Sequence, residues 1–173
     1  MMNFKIIFEK YKNSLMFRIV SQSLLLIVVY IGIQLWQSTG SIKGAAPIIV
    51  EQTIKGDEID LRRYKYKPTV VYFWADWCPV CKFQNPVINN LTENYNIISI
   101  ATFSENKQAV INYLHDEGIE MPVIFDENNE WAKLYNVNAV PSFFIIDTQG
   151  NIRFVEKGYT SSIGMKLRLW WAY

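Results

Sequence analysis

The sequence predicts an α/β protein, a mixed central sheet flanked by helices, placed after one apolar N-terminal helix. Three observations carry this expectation. From Ile19 to Trp36 the chain runs 18 residues without a charge. Thr69 to Ala75 (TVVYFWA) is a β-branched and aromatic run without alternation, which suits a strand buried on both faces. Beyond it, strand-like and helix-like stretches alternate and then close with two strands around a turn. At 173 residues there is room for one anchor and one domain of ordinary size, and none for a second catalytic domain.

The apolar run comes first. A helix of that length is ~27 Å long and nearly spans a hydrocarbon core of ~30 Å. Lys5, Lys10, Lys12 and Arg18 precede it against a single Glu9, with only Lys43 soon after. This asymmetry sets residues 1–18 as a cytoplasmic basic tail and 19–38 as a membrane anchor, with Trp36 at the interface. A cleaved signal peptide with its site at Gly44-Ala45-Ala46 is the rival reading, opposed by Pro47 and by the long charged region. A buried core helix would show one apolar stripe, whereas this run is apolar on nearly all faces.

Residues 39–47 are small and polar and read as a linker, with the catalytic domain over 48–173. Residues 44 to 173 hold 12 basic and 15 acidic side chains, a formal net of −3, so nucleic acid is not an expected partner. Ile48 to Ile54, the turn Lys55-Gly56-Asp57, and Ile59 to Leu61 predict an entry hairpin. After the 69–75 strand, Pro79 to Tyr95 has helical spacing, with Phe83, Val87 and Leu91 on one face and Pro86 inside. Strands follow at 97–103 and 122–125, helices at 108–117 and 130–135. Two strands at 143–147 and 152–156 flank the turn Thr148-Gln149-Gly150-Asn151, and 161–172 is the closing helix, whose Trp170 and Trp171 are expected in the core.

The chain has two cysteines, both in Trp77-Cys78-Pro79-Val80-Cys81, where the buried strand ends and a helix begins. A thiol in the first helical turn faces unpaired backbone N–H groups and the positive end of the helix dipole, which favour the thiolate. Cys78 is therefore the expected nucleophile. Pro79 suits a position where a missing N–H costs nothing. Cys81, nearly one turn on, can close a disulfide with Cys78 and resolve a mixed disulfide with substrate.

Other uses of a Cys-x-x-Cys pair meet objections from the residue count. Structural zinc usually wants four ligands and only His115 remains; haem attachment would need a histidine where Lys82 stands. His115 itself, at the polar end of a helix, reads as surface. Asp126-Glu127 and the acidic residues from Glu117 to Glu120 read as solvated loops rather than metal ligands.

Around the cysteines, Phe73-Trp74-Ala75-Asp76-Trp77-Cys78-Pro79-Val80-Cys81 resembles the thioredoxin superfamily, and more narrowly its membrane-anchored TlpA-like branch. Pro86 and the segment Tyr135-Asn136-Val137-Asn138-Ala139-Val140-Pro141-Ser142 agree with it. The resemblance implies a thioredoxin fold with a TlpA-like insert between Phe103 and Phe125. It implies a cis Pro141 packed on the active-site disulfide, with Trp77, Val140 and Pro141 as the substrate-binding surface. The ending, Arg153 to Thr160 with Leu167 to Ala172, is similar to the ScsD group, suppressors of copper sensitivity.

Tyr72 stands where thioredoxin has a buried Asp, and a phenol near pKa ~10 is a poor base at neutral pH. Proton handling is thereby left to water, Lys82, a nearby carboxylate, or nothing. The expected activity is protein thiol-disulfide exchange in the periplasm at the inner membrane, with protein disulfides as substrates and, by family analogy, a membrane thiol electron donor. No cofactor is expected beyond the Cys78–Cys81 disulfide. The alternative from another class is a copper-tolerance protein holding Cu(I) on the same thiolates without turnover.

Overall fold

The computed structural model describes residues 15–38, 44–64 and 66–173. It divides into two compact units between residues 39 and 40. The first contains helix α1 (Leu15–Ser38, 24 residues). Its described side chains from 16 to 29 are mostly exposed, Leu24, Leu25 and Leu26 among them. Among the described residues no helix is long and apolar enough to cross a membrane. The expected basic tail up to residue 14 and the side chain of Trp36 lie outside the described residues.

The second unit holds β1 (Gly44–Ala45), β2 (Val50–Gln52), β3 (Glu58–Asp60), a 3-10 turn, β4 (Thr69–Trp74) and α2 (Pro79–Leu91). It continues with β5 (Asn96–Ala101), α3 (Lys107–Asp116), β6 (Val123–Phe125), α4 (Glu130–Leu134), β7 (Ser142–Ile146), β8 (Asn151–Lys157) and α5 (Ser162–Trp171). Six strands form one sheet in the order β1-β8-β7-β4-β5-β6, and β2-β3 form a separate hairpin. β4 is buried along its whole length, as a β-branched and aromatic run without polar alternation must be. It pairs in parallel with β5 and antiparallel with β7, so the sheet is mixed.

Alternate residues of β4 feed two cores. Val70, Tyr72 and Trp74 meet Ile88 and Leu91 of α2, Val110 and Leu114 of α3, and Met165 and Leu169 of α5. Val71 and Phe73 meet Ile49, Ile59, Ala132 and Tyr135 on the other face. The ring of Tyr72 stacks on that of Phe143 at 4.7 Å and 7°.

Four local expectations change. Gly44 and Ala45 belong to the sheet, pairing with Ile152 and Asn151 of β8, because backbone pairing needs no side chain. On α2 the core-facing residues are Cys81, Gln84, Asn85, Ile88 and Leu91, whereas Phe83 is 74% exposed. Leu91 is buried and Val87 packs against the core as the spacing predicts, but the buried stripe is partly polar and leaves Phe83 outside it. Asp126 is buried rather than solvated and accepts the N–H groups of Trp131 and Ala132 at the start of α4. Trp170 and Trp171 are exposed, since Met165, Leu169 and Ala172 already fill the buried side of α5.

Candidate active site

The carboxyl end of β4 leads through Ala75 and Asp76 to Cys78, whose extended backbone (φ −80°, ψ 114°) makes it the N-cap of α2. A cap residue offers a side-chain acceptor to the free N–H groups of the first turn. Here the acceptor is the Cys78 sulfur, which receives the Cys81 N–H at 3.2 Å. On its other side the same Sγ lies 3.7 Å from the carbonyl oxygen of Val140. The Val140–Pro141 peptide is cis. Pro141 O in turn accepts the N–H of Gly158 at 2.8 Å, tying the segment to the loop after β8.

Gln84 fixes that same loop from the helix side. Its Nε2 donates to Thr160 O at 3.1 Å and its Oε1 accepts from Thr160 N at 2.8 Å, all buried. Trp77 projects outward, 59% exposed, yet its indole N–H donates to Phe103 O at 2.7 Å. Phe103 has a positive φ of 55°, unusual for an aromatic residue, and its N–H is held by Asn129 Oδ1 at 2.8 Å.

Both cysteines are free thiols, and Cys81 has no exposed surface. Burial, and next the Cys78 thiol, push Cys81 far above the ordinary thiol range; the Ala75 backbone and the Tyr72 hydroxyl pull against that shift. Tyr72 is likewise pushed well up, by burial first and then by the two sulfurs. Its hydroxyl donates to Asn85 Oδ1 at 2.6 Å, and Asn85 Nδ2 donates to the hydroxyl of Tyr113 at 3.0 Å. Tyr113 stacks at a tilt on Trp74, 5.4 Å between centroids, and carries the Lys82 ammonium 5.9 Å over its ring. The nearby carboxylate is Asp76, whose Oδ1 is buried without a hydrogen-bond partner.

The structure thus gathers Cys78, Cys81, Val140 and Pro141 at one end of the sheet, with Trp77 on the rim. His115 is remote in character, its side chain 87% exposed beside Asp116. Sequence reasoning did not find Gln84, Asn85, Tyr113 or Phe103. The first two had one readable signal, uncharged polar residues next to a cysteine helix that lacks a full apolar stripe. The arrangement can attack a disulfide with Cys78 and return with Cys81, a sulfur shielded from solvent until the partner is attached.

A family model described as AhpC/TSA matches residues 42–155. A thioredoxin-like protein of Haemophilus influenzae is 32% identical over 126 residues, covering 72% of this chain and 75% of its own. The thiol-disulfide oxidoreductase ResA of Bacillus cereus is 30% identical over 157 residues, covering 85% and 90%. Among solved structures, a thiol:disulfide interchange protein of the thioredoxin family from Chlorobium tepidum superposes with a TM-score of 0.67 at 25% identity, over 78% of this chain and 99% of that one.

Proposed function

Since the chain belongs to the AhpC/TSA family in the TlpA-like branch of the thioredoxin superfamily, and is a protein thiol-disulfide oxidoreductase, we propose that it works as a membrane-anchored reductase in the periplasm. Its redox chemistry runs through the cysteines rather than a cofactor. Cys78 attacks a disulfide of a protein substrate and is joined to one substrate sulfur while the other leaves as a thiolate. Cys81 then attacks Cys78, releasing the second substrate sulfur and leaving Cys78–Cys81 oxidised. A membrane thiol electron donor restores the two thiols.

The observation that carries this reading is the position of the Cys78 sulfur. It is capped by Cys81 N–H on one side and faces Val140 O on the other. An extended substrate segment laid against Val140 and Pro141 would bring its own sulfur to Cys78, with the exposed Trp77 as a side wall. Anchoring is supported by the uncharged run Ile19 to Trp36 and by the exposed apolar side chains of α1.

Cys81→Ser tests it: the variant accumulates covalent adducts between Cys78 and periplasmic proteins, dissolved by dithiothreitol and absent from Cys78→Ser. A Cu(I) protein without turnover uses the same two sulfurs, and it predicts stoichiometric metal binding with no captured adduct. Direction is read by equilibrating the pair against glutathione; a potential well below the glutathione couple supports reduction, and one well above it overturns that assignment.

A further inference from the structure

We propose that Asn129 is a positioning residue for substrate capture: through the backbone of Phe103 it fixes the indole of Trp77 at the rim of the cysteine site, and so favours disulfides carried on a peptide over small ones. The inference rests on the thiol-exchange reading above and deepens it by naming what sets the substrate class.

Trp77 directly precedes Cys78 and its ring is 59% exposed, yet its N–H is not left to water. It donates to Phe103 O at 2.7 Å, a contact between residues 26 positions apart. An exposed indole turns about two side-chain bonds, and a short hydrogen bond to the main chain leaves it few orientations. The carbonyl that holds it belongs to a residue in an uncommon state. Phe103 lies just beyond β5 with a φ of 55°, in the left-handed region where a side chain crowds the backbone. That turn takes the chain out of the ladder, so the Phe103 carbonyl meets the indole rather than a neighbouring strand.

What keeps Phe103 there is Asn129. Its Oδ1 accepts the Phe103 N–H at 2.8 Å and the Thr102 hydroxyl at 2.9 Å. Asn129 is the N-cap of α4, where a side chain of this type ordinarily accepts an N–H of its own helix. It makes no such bond, and Asp126 receives the N–H groups of Trp131 and Ala132 in its place. The amide oxygen is thereby free to reach across to the end of β5. Main-chain bonds secure both sides of that reach: Thr102 N–H donates to Trp74 O at 2.9 Å, Asp126 N–H to Ala101 O at 2.9 Å, and Asn129 N–H to Asp126 O at 3.1 Å. The effect passes to substrate through the ring alone. A ring already held in place has little freedom left to lose when a peptide lies against it. A small disulfide that reaches Cys78 without touching the rim gains nothing from it.

The test follows oxidation of the pre-reduced full chain in detergent by excess disulfide-bridged peptide or by hydroxyethyl disulfide, with acid quenching and mass analysis. Asn129→Gly removes the amide at a position with φ 55°, which glycine adopts without strain. In this variant the half-saturating peptide concentration rises about three- to tenfold, the limiting rate holds, and the rate with hydroxyethyl disulfide is unchanged. Asn129→Asp, which keeps the acceptor oxygen, restores the original half-saturation. Trp77→Phe, which lacks the donor, shows at least the same rise, and adding Asn129→Gly to it raises the value no further. An unmoved half-saturation in Asn129→Gly overturns the proposal, as does an equal loss with both disulfides or full additivity with Trp77→Phe. If Asn129→Gly fails to fold, benzothienylalanine placed at position 77, an indole shape without the N–H, decides with the same two substrates: an unmoved peptide value overturns the proposal. Failure of the unaltered chain to be oxidised by either disulfide overturns the exchange reading instead.

Discussion

The side-chain amide of Gln84 satisfies both backbone groups of Thr160 and so ties helix α2 to the loop after β8. Gln84→Ala leaves a buried N–H and a buried C=O without partners, at about 1–3 kcal/mol each. We expect Gln84→Ala to lower unfolding stability by about 2–6 kcal/mol in urea, and Gln84→Glu, which keeps only the acceptor, to recover part of it. At this scale the two sulfurs also differ in access. Cys78 is 3% exposed and caps the start of the helix beside the exposed Trp77 and Val80, whereas Cys81 has no exposed surface. Iodoacetamide should therefore block Cys78 at least about tenfold faster than Cys81 in the reduced chain, as peptide mapping will show. The cysteines, Val140 and Pro141 could be read from the sequence because their types and spacing leave few alternatives. Asn85 and Tyr113 could not, since a buried amide bridging two phenols has no periodic signature and brings together residues 72, 85 and 113 from three elements.

Among the elements, α4 shows how a short helix is held. Five residues cannot sustain themselves, and its N-cap Asn129 has a left-handed backbone with no capping bond of its own. Asp126 supplies what the cap does not, one carboxylate oxygen to Trp131 N and the other to Ala132 N, both at 3.0 Å. Asp126→Ala should lower stability by about 1–2 kcal/mol by urea unfolding. Asp126→Asn, with a single acceptor oxygen, should recover about half. The sequence showed α4 itself but made Asp126 a solvated acidic residue, because a carboxylate used as a cap looks the same in a string of letters as one in water. The exposure of Phe83 on α2 has a related cause. Phe83, Val87 and Leu91 advertise one apolar face, yet Cys81, Gln84 and Asn85 share the space beneath the helix with Ile88 and Leu91, and their polar atoms find partners inside the fold. Strands were clearer: β4 and β7, buried throughout, are runs of β-branched and aromatic residues that admit no other placement.

For the whole molecule, several acids are buried in their protonated forms. Cys81, Tyr72 and Tyr135 are all raised, burial being the leading cause for each. A raised acid contributes stability that is complete below its unfolded value, about 8.5 for a thiol and about 10 for a phenol, and that is lost as pH climbs toward the folded value. Stability of the reduced domain should therefore fall above about pH 9, each group adding up to about 1.4 kcal/mol per pH unit. Urea midpoints at pH 8 and 10 check this. The oxidised domain, having no Cys81 proton to lose, should fall less between the same two values. The general architecture was open to sequence reading because alternating strands and helices with a terminal hairpin admit few arrangements. The early pairing of Gly44 and Ala45 with β8 was hidden, since two small residues carry no pattern. One consequence follows from the sulfur that opens α2. The atom that receives the Cys81 N–H is the one that must bond elsewhere during turnover, so every chemical event at Cys78 also unfastens or refastens the first coil of its own helix. Deuterium uptake at a single amide thereby becomes a gauge of the oxidation state, readable without any label on the thiols.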